Sequence, residues 1–194
     1  MKQTGSAERV GQVTPVQRLS IGLSGKEVCY LRAGSGPPLL LVHGLLGYSF
    51  SWRHTIPALA EIATIYALDL PGAGYSEPIP NMDCGFRACA ERVLRFMDGV
   101  GVRDFDLLGT SHGGAVAMMM AALSAERVRR LILVDPVNPW SAHGQVLSVV
   151  LTNFLVAPIF THLTPRMPLL QRFYFRRLFG DKGRIRPGTL EGYI

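Results

Sequence analysis

The stretch LLGTSHGGAVAMMMAAL, residues 107–123, decides how this sequence folds. It begins as an apolar strand, turns at Gly-Thr-Ser-His-Gly and continues as a helix of small and apolar residues. The turn has the pattern Gly-x-Ser-x-Gly, in which the two glycines let neighbouring backbone approach the serine closely. Such a strand–turn–helix directs the serine Oγ away from the chain, above the amino end of the helix. We therefore predict that Ser111 is a nucleophile rather than an ordinary helix-capping residue.

Strand and helix patterns alternate on both sides of this stretch. Residues 16–23 and 27–33 alternate between polar and apolar around a Ser-Gly-Lys turn, which predicts an antiparallel hairpin. The runs PLLLVHG and TIYALDL are typical of buried strands in a parallel sheet, and VRRLILVDP predicts a further strand. Residues 50–62 and 84–98 have helical patterns, with Pro57 at a helix start or a kink. The order predicts an α/β fold with a mostly parallel sheet, helices on both faces and ligand chemistry at the carboxyl ends of the strands.

Composition divides the chain into three parts. Residues 1–15 are polar and interrupted by Gly and Pro, so we expect a disordered tail and no secretory signal. Residues 16–140 hold the alternating strands and helices of the core. Residues 141–194 mix apolar residues with arginine, and their most apolar part, residues 146–160, is short for a membrane span and contains polar residues and Pro. We predict a buried or lid-forming helix there and no transmembrane segment.

The net charge of +6 comes mainly from the end of the chain, because residues 163–194 carry 7 basic and 2 acidic side chains. Arginines interleaved with Phe, Tyr and Leu are typical of an amphipathic helix, and no recognition motif accompanies them, so we expect no nucleic-acid partner. Cys29, Cys84 and Cys89 lack the spacing of metal ligands and are odd in number. They predict free thiols in a reducing cytoplasm, with neither a disulfide framework nor a metal site.

A second candidate site follows the first buried strand, at His43-Gly44-Leu45-Leu46-Gly47. Two backbone N–H groups fixed in advance stabilise a tetrahedral oxyanion more than a planar substrate. We predict that the N–H groups of Leu45 and His112 form such an oxyanion hole. The side chains of Leu45 and Leu46 either line an acyl pocket or pack in the core. His43 could act as a general base, but its position before the nucleophile favours a structural hydrogen-bonding role.

Four ordered landmarks resemble the α/β-hydrolase superfamily, in the branch of small serine hydrolases with a helical cap. They are HGLLG at 43–47, LDLPGAGYS at 68–76, GTSHGG at 109–114 and LILVDP at 131–136. The resemblance covers about residues 17–140 and implies a cofactor-independent Ser-His-Asp hydrolase that cleaves an ester or a related acyl or C–C bond. It also implies that residues 69–76 border the site, and that a serine nucleophile excludes the epoxide hydrolase and haloalkane dehalogenase branches, which use Asp.

The rest of such a triad is not evident in the sequence. The family's chain order is Ser, then acid, then His, and His143 and His162 are the histidines that follow His112. Neither comes after a strand and a Gly-rich loop, so we expect both to lie in the cap rather than to act as the base. Asp135 ends the LILVD strand and is a candidate acid, although we favour a strand-terminal Asp turned by Pro136.

We therefore expect the sequence to be a fragment of a serine hydrolase, with its base and acid beyond Ile194 and residues 141–194 forming the start of a helical cap. The apolar cap favours an apolar acyl or aromatic small molecule as substrate, and thioesterase, C–C hydrolase, lipase-like and perhydrolase activities all stay open. The alternative is a non-catalytic binding or interaction module, either a descendant of the fold that has lost its triad or an inactive hydrolase fragment that pairs with another chain.

Overall fold

The structure is a computed structural model that describes residues 15–137 and 166–193. Within these ranges six strands form one sheet in the order β1-β2-β4-β3-β5-β6. The strands are β1 Gln17–Leu23, β2 Lys26–Ala33, β3 Pro38–Val42, β4 Thr64–Leu68, β5 Phe105–Thr110 and β6 Val128–Val134. The expected tail at residues 1–14, the apolar segment 146–160, His143 and His162 lie outside the described residues.

Pairing in the sheet agrees with the predicted fold class. β1 and β2 form the antiparallel hairpin, and β2 also runs antiparallel to β4. β3 is parallel to both of its neighbours, with Leu41 opposite Ala67 of β4 and Leu108 of β5, and β5 is parallel to β6. The carboxyl ends of β3, β4, β5 and β6 therefore meet at one edge of the sheet, where the landmark loops begin.

Helices cover both faces of the sheet, as the continuous apolar strands predict. Helix α1 is Ile56–Leu59, α2 is Phe86–Gly99, α3 is His112–Leu123 and α4 is Pro168–Arg177. Leu40 and Val42 of β3 pack with α2 and α3, whereas Leu39 and Leu41 pack on the other face with α1 and Trp52. Successive side chains of β3 therefore pack against the helical layers on opposite faces of the sheet. Each fully buried side chain of this size stabilises the fold by about 2 kcal/mol.

One element differs from the sequence expectation. The helix predicted over residues 50–62 is a 3₁₀ turn at Ser49–Trp52 followed by the single turn of α1. Pro57 lies in the first turn of α1, because a proline further inside a helix would clash with the preceding turn and remove a hydrogen bond. Strand β6 is present, as predicted; among the described residues it pairs only with β5, and Leu133 and Val134 are 36% and 49% exposed.

The described end of the chain packs against the loop after β3 through aromatic rings. Tyr193 stacks on Phe175 with ring centroids 5.1 Å apart and meets Phe50 edge-on at 5.4 Å. The Tyr48 hydroxyl donates a hydrogen bond of 2.7 Å to the carbonyl oxygen of Gly192. Residues 166–193 thus lie beside the edge of the sheet at which the parallel strands end. Within the described ranges, no helix has the length and apolar character needed to cross a bilayer.

The closest helix–strand contact occurs at Gly113, where a Cβ would overlap the carbonyl oxygens of Val42 and His43. Because both are backbone atoms, they cannot rotate away, and we expect Gly113→Ala to lower the free energy of unfolding by about 3 kcal/mol. Gly22→Ala in β1 is the matched control, since nothing lies within 4 Å of its Cβ position, and it should change stability by less than about 0.5 kcal/mol. Urea unfolding followed by circular dichroism measures both, and equal midpoints would contradict the proposed close contact.

Candidate active site

Ser111 lies at the junction of β5 and α3 in a strained backbone conformation, with φ 51° and ψ −120°. Such a conformation costs a non-glycine residue about 1–3 kcal/mol. Four backbone hydrogen bonds hold it: the Ser111 N–H donates to Val134 at 3.1 Å, and its carbonyl oxygen accepts from Gly114 and Val137, both at 3.0 Å, and from Ala115 at 3.2 Å. The strain is therefore stabilised by β6 and by the first turn of α3, and it fixes the direction of the serine side chain.

The glycines near Ser111 are required because neighbouring segments of the chain leave no room for a side chain, and not only because glycine favours turns. A Cβ at Gly109 would overlap the carbonyl oxygen of Gly113, one turn into the helix. A Cβ at Gly114 would lie 2.8 Å from the Pro136 side chain, which follows β6. The strand–turn–helix predicted from Gly-x-Ser-x-Gly is present, and each glycine lets two backbone segments approach more closely than a side chain allows.

The loop after β3 brings a second backbone turn against Ser111. The Gly47 N–H donates to the carbonyl oxygen of Gly44 at 3.0 Å, and Leu46 has φ 60°, which is typical of the third position of a tight turn. A Cβ at Gly44 would lie 3.1 Å from the Ser111 Cβ, so the two backbones are in contact. No other described residue accepts a hydrogen bond from the N–H of Leu45 or of His112.

The side chains of this turn line the cleft rather than the core. Leu45 is 67% exposed and Leu46 is 49% exposed. Both border a cleft of about 640 Å³ at the carboxyl ends of the strands. Of the two roles left open by the sequence, the structure places these leucines at the cleft wall, where apolar side chains can contact a ligand.

His43 is buried and both of its ring nitrogens are hydrogen bonded to backbone. The Leu70 N–H donates to Nε2 at 3.1 Å, so the proton must be on Nδ1, which donates to the carbonyl oxygen of Gly44 at 2.8 Å. Burial lowers the pKa of His43 and keeps the ring neutral. The ring therefore joins the loops after β3 and β4, and in this arrangement neither nitrogen is free to accept the Ser111 proton.

Asp69 organises the same loops, and the sequence reasoning assigned no role to its carboxylate. The buried carboxylate accepts the Ser49 N–H at 2.7 Å on Oδ1 and the Tyr75 N–H at 3.0 Å on Oδ2. The Ser76 hydroxyl donates to the Asp69 carbonyl oxygen at 2.7 Å. A Cβ at Gly74 would overlap the carboxylate, which explains the small residues in LDLPGAGYS. That landmark was the available signal for an ordered loop beside the site.

The cleft has walls from four parts of the chain. They are the loops at 43–48 and 70–75, the start of α2 with its preceding loop, His112 of α3, and the chain end at Gly192 and Tyr193. The His112 ring lies 5.5 Å from the Phe86 ring, and burial lowers its pKa. Sequence reasoning missed Arg92 of α2 and the residues of the chain end in this wall, because helical spacing identified only the apolar face of α2.

The described residues do not assemble a complete triad. Asp135 lies exposed after β6 with φ 45°, and its carboxylate forms no hydrogen bond or ion pair with another described residue. Its position is that of a turned residue at a strand end, and no described histidine contacts it or the Ser111 hydroxyl. In the described ranges, no cluster of three or more His, Cys, Asp and Glu side chains could hold a metal ion. All three cysteines are free thiols.

Comparison with known families agrees with this architecture. The family described as alpha/beta hydrolase fold matches residues 37–155, which is more than half of the chain. The chain therefore belongs to the α/β-hydrolase family.

Several characterised proteins are similar to the chain over part of their length. N-formylmaleamate deformylase of Pseudomonas putida is 35% identical over 127 residues, covering 65% of this chain and 47% of the deformylase. A soluble epoxide hydrolase of Corynebacterium sp. is 38% identical over 114 residues, covering 58% of this chain and 39% of that protein. The crystal structure of a bacterial membrane phospholipase A aligns with a TM-score of 0.63 at 35% identity, over 66% of this chain and 42% of the phospholipase. The chain spans about half the length, or less, of the curated relatives it matches.

The buried neutral ring of His43 predicts a pH dependence of stability. Because burial lowers the pKa of His43 and of His112, the unfolded chain binds protons near pH 6.5 that the folded chain does not. The free energy of unfolding should therefore fall as pH decreases from 7.5 to 5.5, by up to about 1.4 kcal/mol per pH unit for the buried His43 and by less for the half-buried His112, whose charge solvent screens. Urea unfolding at the two pH values and side-chain ¹⁵N NMR test this. An imidazolium signal from His43 at pH 6.5 would contradict it.

Proposed function

We propose that this chain carries the nucleophile and the oxyanion hole of a serine hydrolase that cleaves an ester or a related acyl or C–C bond. The observation that carries the proposal is the strained backbone of Ser111, held at the amino end of α3 beside the Gly44–Gly47 turn. Backbone strain that the surrounding structure holds in place is characteristic of functional sites, and the adjacent residue His112 lines the cleft. The N–H groups of Leu45 and His112 have no hydrogen-bond partner among the described residues, and the proposal assigns them to the oxyanion hole.

In the proposed reaction the Ser111 Oγ attacks the carbonyl carbon of the substrate and loses its proton to a base. The carbonyl π electrons move to oxygen, and the resulting oxyanion accepts hydrogen bonds from the N–H groups of Leu45 and His112. Collapse of this intermediate expels the leaving group, which takes the proton, and forms an acyl-enzyme that water hydrolyses. The amino end of α3 adds a favourable dipole beneath the developing negative charge.

The proposal assigns the histidine base and its acid to sequence beyond Ile194, in the chain order Ser, acid, His. Residues 141–194 are proposed to begin a cap, and the place of Gly192 and Tyr193 in the cleft wall supports this. The cleft wall contains three leucines and three tyrosines, which supports an apolar acyl or aromatic substrate. The free thiols support the expected cytoplasmic location.

A binding module is the second candidate function, and one observation favours it. His43 is fully engaged with backbone and no described histidine reaches the Ser111 hydroxyl, so a serine without a base would be a poor nucleophile. The two candidates differ in the reactivity of Ser111, which can be measured directly.

Labelling by a fluorophosphonate probe separates the two functions. In the protein made from its complete reading frame, we expect the probe to modify Ser111, because only an activated serine attacks the phosphorus at neutral pH. Ser111→Ala should abolish the label. Ser124→Ala, at the other end of α3, is the matched control and should retain it. Peptide mass spectrometry identifies the site, and a folded protein that stays unlabelled would favour the binding module.

The oxyanion hole can be tested at Leu45. The Leu45→Pro substitution removes the N–H, and proline suits the second position of a turn with positive φ at the third. Leu45→Ala keeps the N–H and is the control for loss of the side chain. Loss of one oxyanion donor should slow phosphonylation of Ser111 about 100-fold in Leu45→Pro, whereas Leu45→Ala should stay within about threefold of the parent. Similar rates in both variants would place the oxyanion hole elsewhere.

A further inference from the structure

Arg92 is a charged residue in a cleft wall that is otherwise uncharged. It lies in the second turn of α2 and lines the same cleft as the Gly44–Gly47 turn and His112. Among the described residues that form this wall, it is the only Arg, Lys, Asp or Glu. The neighbouring wall residues are Leu70, Pro71 and Met82, so the guanidinium is set in apolar surroundings.

The guanidinium of Arg92 has no carboxylate partner within the described ranges. It donates a hydrogen bond to the carbonyl oxygen of Asp83, which leaves further N–H donors of the planar fork for a ligand. By contrast, Arg87 on the same helix forms an ion pair of 3.2 Å with Glu91. A half-buried guanidinium without a counter-ion is unfavourable, and an anionic ligand would compensate for that cost.

The charge of Arg92 acts on the interior of the cleft. Burial raises the pKa of the Cys89 thiol, and the positive charge of Arg92 opposes this by favouring the thiolate. Cys89 itself lines the cleft. A ligand anion in the cleft would experience the same attraction.

A second cavity of about 330 Å³ borders the cleft at this point. Four residues line both spaces: Leu70, Pro71, Met82 and Arg92. The second cavity contains charges of both signs, such as Lys26 and Glu77, whereas the cleft contains only that of Arg92. Arg92 therefore lies at the boundary between the cleft and this more highly charged cavity.

We propose that Arg92 binds a carboxylate of the substrate, and that the cleft accepts acyl substrates with an anionic group at the end away from the scissile carbonyl. A guanidinium binds a carboxylate through two parallel hydrogen bonds, which gives orientation as well as affinity. The substrate class rests on the proposed hydrolase function, but the binding of an anion by Arg92 can be measured without turnover.

Binding is measured with two esters of equal length, monomethyl adipate with one carboxylate and dimethyl adipate with none. The readout is the rate at which iodoacetamide alkylates Cys84, an exposed thiol in the same wall, in a Ser111→Ala background that cannot hydrolyse either ester. Monomethyl adipate should protect Cys84 at a concentration about tenfold lower than dimethyl adipate, the effect of a charge-assisted hydrogen bond.

Variants of two arginines on the same helix then show whether the preference for the monoester depends on Arg92. Arg92→Gln keeps an N–H donor for the Asp83 carbonyl but removes the charge, and it should reduce the preference to within about twofold. Arg92→Lys keeps the charge and should retain part of it. Arg87→Gln is the matched control outside the wall and should leave the preference unchanged. Equal protection by both esters, protection by neither, or a preference that survives in Arg92→Gln would overturn the proposal.

The ester-protection experiment and the Ser111 labelling test different claims. A reactive Ser111 without an anion preference overturns the role of Arg92 alone. An anion preference that depends on Arg92, in a protein whose Ser111 does not react, supports anion binding and overturns the hydrolase function.

Discussion

The positive φ of Ser111 is the constraint on which the site depends. It is maintained because β5 ends between β3 and β6, and both neighbours contact the turn through backbone atoms. The Ser111 N–H is bonded to Val134 of β6, while Gly113 allows α3 to cross directly over the end of β3. Hydrophobic burial on both faces of the sheet supplies the stability that offsets the local strain. The serine is therefore oriented by the whole sheet rather than by its own loop.

The same crossing positions the rest of the site through backbone contacts. Because α3 approaches β3 so closely, the Gly44–Gly47 turn that follows β3 must lie against the serine backbone. His43 and Asp69 then hold this turn and the following loop in place through hydrogen bonds between their side chains and backbone atoms. Two buried polar side chains thus order the loops that border the cleft at the sheet edge.

The strands and the serine turn could be predicted from the sequence because their signals are local. Apolar runs specify buried strands, and Gly-x-Ser-x-Gly specifies a turn that few other residues can form. The division of residues 50–62 into a 3₁₀ turn and a short helix could not be predicted, since it depends on how Pro57 fits against its neighbours. In the sequence, Arg92 has the spacing of a solvent-exposed helix residue. It lines the cleft because the loop at residues 70–82 lies beside it.

The single charge of Arg92 in the cleft could contribute to catalysis in two ways, through affinity or through orientation of the substrate. Contacts between Arg92 and a distant substrate group do not change during acyl transfer, so by themselves they favour ground state and transition state equally. They aid the reaction only if the same contact holds the carbonyl against Ser111 and the Leu45 N–H. Arg92 of α2 and the His112 N–H of α3 belong to helices that pack directly on one another, so a ligand held by both would contact a single helical layer.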